Sequence, residues 1–127
     1  MRAADDAGSA PAEFVMVAGL LVVLTLGVLQ LGLALHVRNT VIDAAAEGAR
    51  YGALAGNTIA DGAARTRDLI GTALGPDYAR DVTATRTDES GIPVAEVTVR
   101  TPLPLLGLIG IGDGLEVSGH AAVEVVR

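Results

Sequence analysis

From Phe14 to Leu35 the chain runs for about 22 residues without an ionisable side chain, enough α-helix to cross the hydrocarbon layer of a bilayer. Thr25 and Gln30 are its polar interruptions, and Gln30 is suited to a hydrogen bond with a neighbouring helix. Glu13 stands at the mouth of the run, with Gly8 five residues before it. An ionisable group at the edge of a membrane segment is costly to place there, which makes Glu13 a functional candidate.

The helical pattern continues beyond Leu35, with Val37, Val41, Ile42 and Ala45 at three- and four-residue steps and no breaker before Gly56-Asn57. One helix from about Ala12 to Ala55 is expected, its first half in lipid and its second half in water. Thr40, Ala44, Gly48, Gly52 and Gly56 fall four apart as a stripe of small residues. The stripe fits close packing against the protein's own sheet or second helix, or a dimer seam. Asp43, Glu47 and Arg50 line another face, where Glu47 and Arg50 are spaced to pair. Thr58 and Asp61 form a capping box that opens a second helix, with Ile59, Ala63, Thr66, Ile70 and Ala73 as its buried stripe. Arg65, Arg67 and Asp68 form its solvated face, and Gly75-Pro76 ends it.

After Pro76 the period changes to two. Asp81–Arg86, Val94–Thr101 and Leu115–Val126 read as strands, and Thr87–Gly91 as a polar turn between the first two. In the last strand Leu115, Val117, Ala121, Val123 and Val125 alternate with Glu116, Ser118, His120 and Glu124. That is a small antiparallel sheet with one wet face and a dry face that covers a helix. The expected fold class is therefore α+β: a long N-terminal transmembrane helix continuing into a small helix-plus-antiparallel-sheet domain. The connection Pro102–Gly112 is too apolar for an ordinary loop. It either tucks under the sheet or forms a patch for a partner or the membrane surface.

Composition narrows the function. A net charge of −6 argues against nucleic-acid binding, which needs clustered cations. The absence of cysteine excludes disulfides, thiolate chemistry and a lipoprotein-type anchor. Catalytic, cofactor-binding and metal-binding motifs are not found. His36 and His120 are far apart in sequence with no second ligand at metal spacing, and His36 is placed to snorkel at the membrane–water boundary. Gly107, Gly110, Gly112 and Gly114 are separated by apolar residues and Asp113, unsuited to a phosphate loop. The chain is expected not to be an enzyme. Gly32-Leu33-Ala34 offers a signal-peptidase site, so a secreted domain beginning at Leu35 is an alternative, although the apolar run is long for a signal.

Gly8, four further residues, then Glu13, Phe14 and a long apolar helix resemble the prepilin-peptidase processing region of type IV pilin-like proteins. Together with Ala45-Ala46-Glu47-Gly48-Ala49-Arg50-Tyr51-Gly52-Ala53-Leu54, the stretch is similar to the TadE-like family, pilin-like minor components of Tad/Flp tight-adherence pilus systems. The resemblance implies a pilin-like fold, cleavage between Gly8 and Ser9, and an assembly role for Glu13 and Phe14. It implies a leader over residues 1–8, a transmembrane pilin-like helix over 9–35 and an extracytoplasmic α+β domain over 36–127. The implied partners are prepilin peptidase, other pilin-like subunits, Tad inner-membrane assembly proteins and membrane lipid. The implied location is the cytoplasmic membrane, with the leader inside, the domain outside and a surface pilus as a further destination. Two features depart from the pattern's usual form: Asp5 and Asp6 stand where such leaders are basic, and Pro11 lies between the cleavage point and Glu13. An anchored envelope protein that never enters a filament is the remaining alternative.

Overall fold

The computed structural model describes the backbone of residues 2–103 and 111–124, with side chains over 9–103 and 114–124. Helix α1 (Arg2–Ala53) is followed by α2 (Ile59–Leu74), a 3-10 turn (Pro76–Ala79), and strands β1 (Asp81–Glu89), β2 (Ile92–Leu103) and β3 (Ile111–Ala122). The strands form one antiparallel sheet in the order β1-β2-β3. Both helices lie on the same face of it, α1 mainly under β3 and β2 and α2 mainly under β1. The fold is α+β, as the change of period from 3.6 to 2 predicts.

Helix α1 starts at Arg2 rather than near Ala12 and runs through Pro11. Ala3, Ala4 and Ala7 are strong helix formers, and Asp5 and Asp6 suit the positive end of the helix dipole. Pro11 removes one backbone hydrogen bond, a loss confined to the first turns. The helix ends at Ala53, two residues before the expected Ala55, where the end of the sheet takes over its terminal groups. Glu124 N–H donates to Ala53 O (2.7 Å), and Ala55 N–H donates to the Glu124 carboxylate (3.2 Å).

The small-residue stripe of α1 meets α2. A Cβ on Gly48 would meet Thr66 Oγ1 and lie 2.7 Å from Gly62 O, and one on Gly52 would lie 3.1 Å from Gly62 Cα. Thr66 Oγ1 donates to Gly62 O (2.9 Å), with Ala44 O a longer contact of the same hydroxyl (3.4 Å), so the hydroxyl is satisfied although fully buried. Gly56 does not belong to this seam; it lies beyond the helix at φ 87° in the turn toward α2. The capping box is present: Thr58 Oγ1 accepts from Asp61 N (3.1 Å) and Asp61 Oδ2 from Thr58 N (2.7 Å). In α2, Gly62 is buried alongside Ala63, Thr66 and Ile70, whereas Ile59 is half-buried and Ala73 exposed. Ala73 lies in the last turn, on the open edge of α2 beside Thr40 and Asp43 of α1. In α1, Ile42 is also exposed, because its side of the helix turns away from both α2 and the sheet. Arg67 is not simply solvated: its Nη2 donates to Val82 O (2.8 Å), tying α2 to edge strand β1.

The strands run longer than the apolar alternation alone. Thr87, Asp88 and Glu89 extend β1, and the turn contracts to Ser90 (φ 56°) and Gly91 (φ 84°). Two left-handed residues give the backbone twist of a two-residue hairpin. A wet face accepts polar side chains while the backbone still pairs, which is why a polar stretch joins the strand. Val82, Val97 and Val99 point into the core beside Val37, Val41 and Ile70. Strand β3 ends at Ala122 rather than Val126; Val125 and Val126, like residues 104–110 of the apolar connection, lie outside the described residues. On the inner face of β3, Gly119 is pressed against α1: a Cβ there would stand 2.5 Å from Ala45 C and O.

Candidate functional site

The first half of α1 forms the largest candidate surface. Phe14, Met16, Leu20, Val23, Val28 and Leu31 are all more than half exposed, and none of the helix's most apolar window is buried against the rest of the chain. The helix is long and apolar enough to cross a membrane. A run this apolar on all sides has no solvated face, so its natural surroundings are lipid or other apolar helices.

At its N-terminal mouth, Gly8, Ser9, Glu13 and Phe14 follow one another along the same helix. Ser9 and Glu13 are one turn apart, and Ser9 Oγ donates to Glu13 Oε1 at 3.5 Å. Glu13 and Phe14 are both exposed, Phe14 at 73%. The helix thus brings Ser9 and Glu13 together on one face, while Phe14 is set about 100° around it.

Among the described residues no group of three or more His, Cys, Asp or Glu side chains is placed to hold a metal ion. His36 is exposed on α1 just past the apolar run. His120 lies on the wet face of the sheet, with Nε2 3.2 Å from Glu96 Oε2. The neighbouring rungs are Thr98 with Ser118 (3.1 Å) and Arg100 with Glu116 (3.3 Å), each joining directly opposed residues of β2 and β3. These groups satisfy one another across the strands. An open groove of about 310 Å³ lies between α1 and α2, lined by Thr40, Asp43, Ala44, Glu47, Leu69 and Ala73. The separate periods of the two helices do not reveal it, because it exists only where their exposed edges meet.

A model of the family described as TadE-like protein matches residues 8–50. No curated protein and no solved structure gives a significant match. The family is a pilus-associated component rather than a known enzyme family. The matched stretch begins at the candidate processing glycine and ends at Arg50, and its two ends do different work. Around Glu13 it is exposed, whereas Gly48 and Ala49 are buried where α1 receives α2 and the sheet. Beside them, Glu47 and Arg50 form an exposed pair at 3.8 Å, as their spacing suggests.

Proposed function

Taking residues 8–50 as a TadE-like N-terminal region, we propose that the chain is a non-catalytic minor pilin or pseudopilin of a Tad/Flp-type pilus or its secretion machinery. Residues 1–8 are a leader removed by prepilin peptidase, 9–35 the assembly helix, and 36–127 the extracytoplasmic domain. The observation that carries this reading is an exposed Glu13 one turn from Ser9, at the head of a helix whose most apolar window is not buried among the described residues. Cleavage after Gly8 creates a positive amino terminus at Ser9. A glutamate packed among apolar helices needs a partner, and a neighbouring subunit's amine supplies it, coupling neutralisation to axial register. The peptidase must open the helix around Gly8, and the absent N–H of Pro11 together with the flexibility of Gly8 lowers that cost. The leader then stays on the cytoplasmic side, and the partners are other pilin-like subunits and the inner-membrane assembly proteins.

The experiment is N-terminal mass determination on protein isolated from its own host's membranes, with prepilin peptidase present and deleted. A chain starting at Ser9 only with the peptidase supports the proposal. A start at Met1 in both removes it. Glu13→Ala in the processed protein is expected to abolish assembly into the pilus fraction while leaving membrane insertion intact. A second reading, an anchored envelope protein outside any filament, draws on Asp5 and Asp6 in the leader; it predicts the Met1 start and no assembly defect from Glu13→Ala.

A further inference from the structure

The two ends of the sheet differ in chemistry. The β1–β2 turn, at Ser90-Gly91, is approached through Thr87, Asp88 and Glu89. The β2–β3 end closes on the paired residues Leu103 and Ile111, and the sequence between them contains only Pro, Leu, Ile and Gly. Two contacts fix where that apolar end sits along α1. Gly119 lies on Ala45, and Glu124, five residues on, bonds to Ala53, eight residues on. Strand and α1 therefore run in the same sense, and one strand residue advances about 1.6 helix residues. Gly119 is paired with Val97 of β2, and Leu103 lies six residues from Val97. That places the Leu103–Ile111 pair about ten helix residues before Ala45, level with Leu35, the last residue of the apolar run.

One further observation agrees. Helix α2, antiparallel to α1 through the Thr66–Ala44 contact, turns back at Gly75-Pro76, level with about His36. The sheet thus reaches the boundary of the apolar run at the level where α2 stops.

We propose that this end of the sheet, around Leu103 and Ile111, rests in the membrane interface beside the emerging α1 helix. The external domain then has a second lipid contact that fixes its tilt on the membrane. The inference rests on α1 spanning the membrane, and continuity with that span identifies lipid as the occupant. Strand pairing reaches Leu103–Ile111 past a register shift between Thr101 and Leu103, where Asp113 also lies; that suits interfacial depth, because unpaired backbone groups and a carboxylate do not tolerate the hydrocarbon core.

The chain has no cysteine, so single cysteines at 103, 111, 90 and 24 can carry an environment-sensitive fluorophore. The full chain is reconstituted in phosphatidylcholine–phosphatidylglycerol vesicles, and emission is quenched either by iodide or by nitroxides at shallow and deep positions on the lipid. Circular dichroism first verifies that each variant is folded. Position 24 is expected to respond to the deep nitroxide and position 90 to iodide alone. Positions 103 and 111 are expected to respond to the shallow nitroxide, with iodide quenching several-fold below that at 90. Iodide quenching at 103 and 111 equal to that at 90 overturns the proposal, as does shielding from both quenchers, which would mean a protein cover. Loss of lipid quenching at 24 overturns the membrane reading itself, and the proposal with it.

Discussion

Residues 14–35 and 37–53 belong to one unbroken helix, yet they answer to opposite environments. In the first segment Leu, Val, Met and Phe cover every side of the helix and are exposed. In the second, the buried positions are mostly small: Ala44, Ala45, Gly48, Ala49, Gly52 and Ala53, with Val37 and Val41 as the larger members. Large side chains without a polar face suit a fluid apolar surrounding or a partner not yet present. Small ones suit a fixed neighbour at close range, because they let another backbone approach. Apolarity alone therefore does not identify the packed part of a helix; side-chain size and the partner's geometry do.

The sharpest way to break that comparison is at Gly119, where the sheet touches the second segment. A β-carbon there meets the backbone of Ala45 and Ala46 within 2.6 Å, and backbone atoms cannot swing aside as a long side chain can. Gly119→Val should lift the sheet from α1 and destabilise the helix-and-sheet domain by about 3 kcal/mol. Both tyrosines, Tyr51 and Tyr78, lie past the apolar run and the chain has no tryptophan, so tyrosine fluorescence during urea unfolding in micelles reports the domain alone. An unchanged midpoint would mean that the sheet does not pack on α1 as described.

Much of this was legible in the sequence because each feature has a local cause. The span shows as a lack of charge over 14–35, the second helix as the Thr58–Asp61 box, and the sheet as alternation in 94–101 and 115–124. The Gly8–Glu13–Phe14 spacing likewise marks the candidate site, and its two members Ser9 and Glu13 share a helix turn. What stayed hidden depends on distant partners. Alternation puts Gly119 on the inner face of β3, but only the position of α1 explains why no side chain fits there. Arg67 belongs to a polar helix face by period, and its bond to Val82 O becomes visible only once β1 is beside it. Ile42 and Ala73 carry the apolar character of core positions, yet both are exposed, because each points to a side of its helix that no neighbouring element covers. The groove between α1 and α2 has no sequence signature because residues from both helices form it.

A smaller effect is expected at Thr58, which starts the helix that packs on the glycine stripe. Removing its hydroxyl leaves Asp61 N–H without the side-chain acceptor at 3.1 Å. Thr58→Ala should cost about 1 kcal/mol by the same tyrosine measurement. Thr58→Ser should recover most of it, since the serine oxygen can accept the same bond. If serine fails as alanine does, the packing of the threonine methyl, rather than the cap, holds this end of α2.

The smallest expected change comes from a glycine in the first segment, and it tests the comparison most directly. Nothing lies within 4 Å of a β-carbon built on Gly27, whereas one on Gly48 meets Thr66 and Gly62. Alanine favours helix over glycine by roughly 1 kcal/mol in an exposed interior position. In the micelle the apolar segment holds its own helix, and unfolding of the domain that follows it does not melt it. Gly27→Ala should therefore leave the tyrosine-detected urea midpoint unchanged, while Gly48→Ala, made in the same helix by the same exchange, lowers it. A midpoint that falls for Gly27→Ala would show that the first segment supports the domain's fold after all. An unchanged midpoint accompanied by a loss of pilus-fraction assembly would place Gly27 at a helix–helix contact between subunits, where the missing side chain makes room for a neighbour.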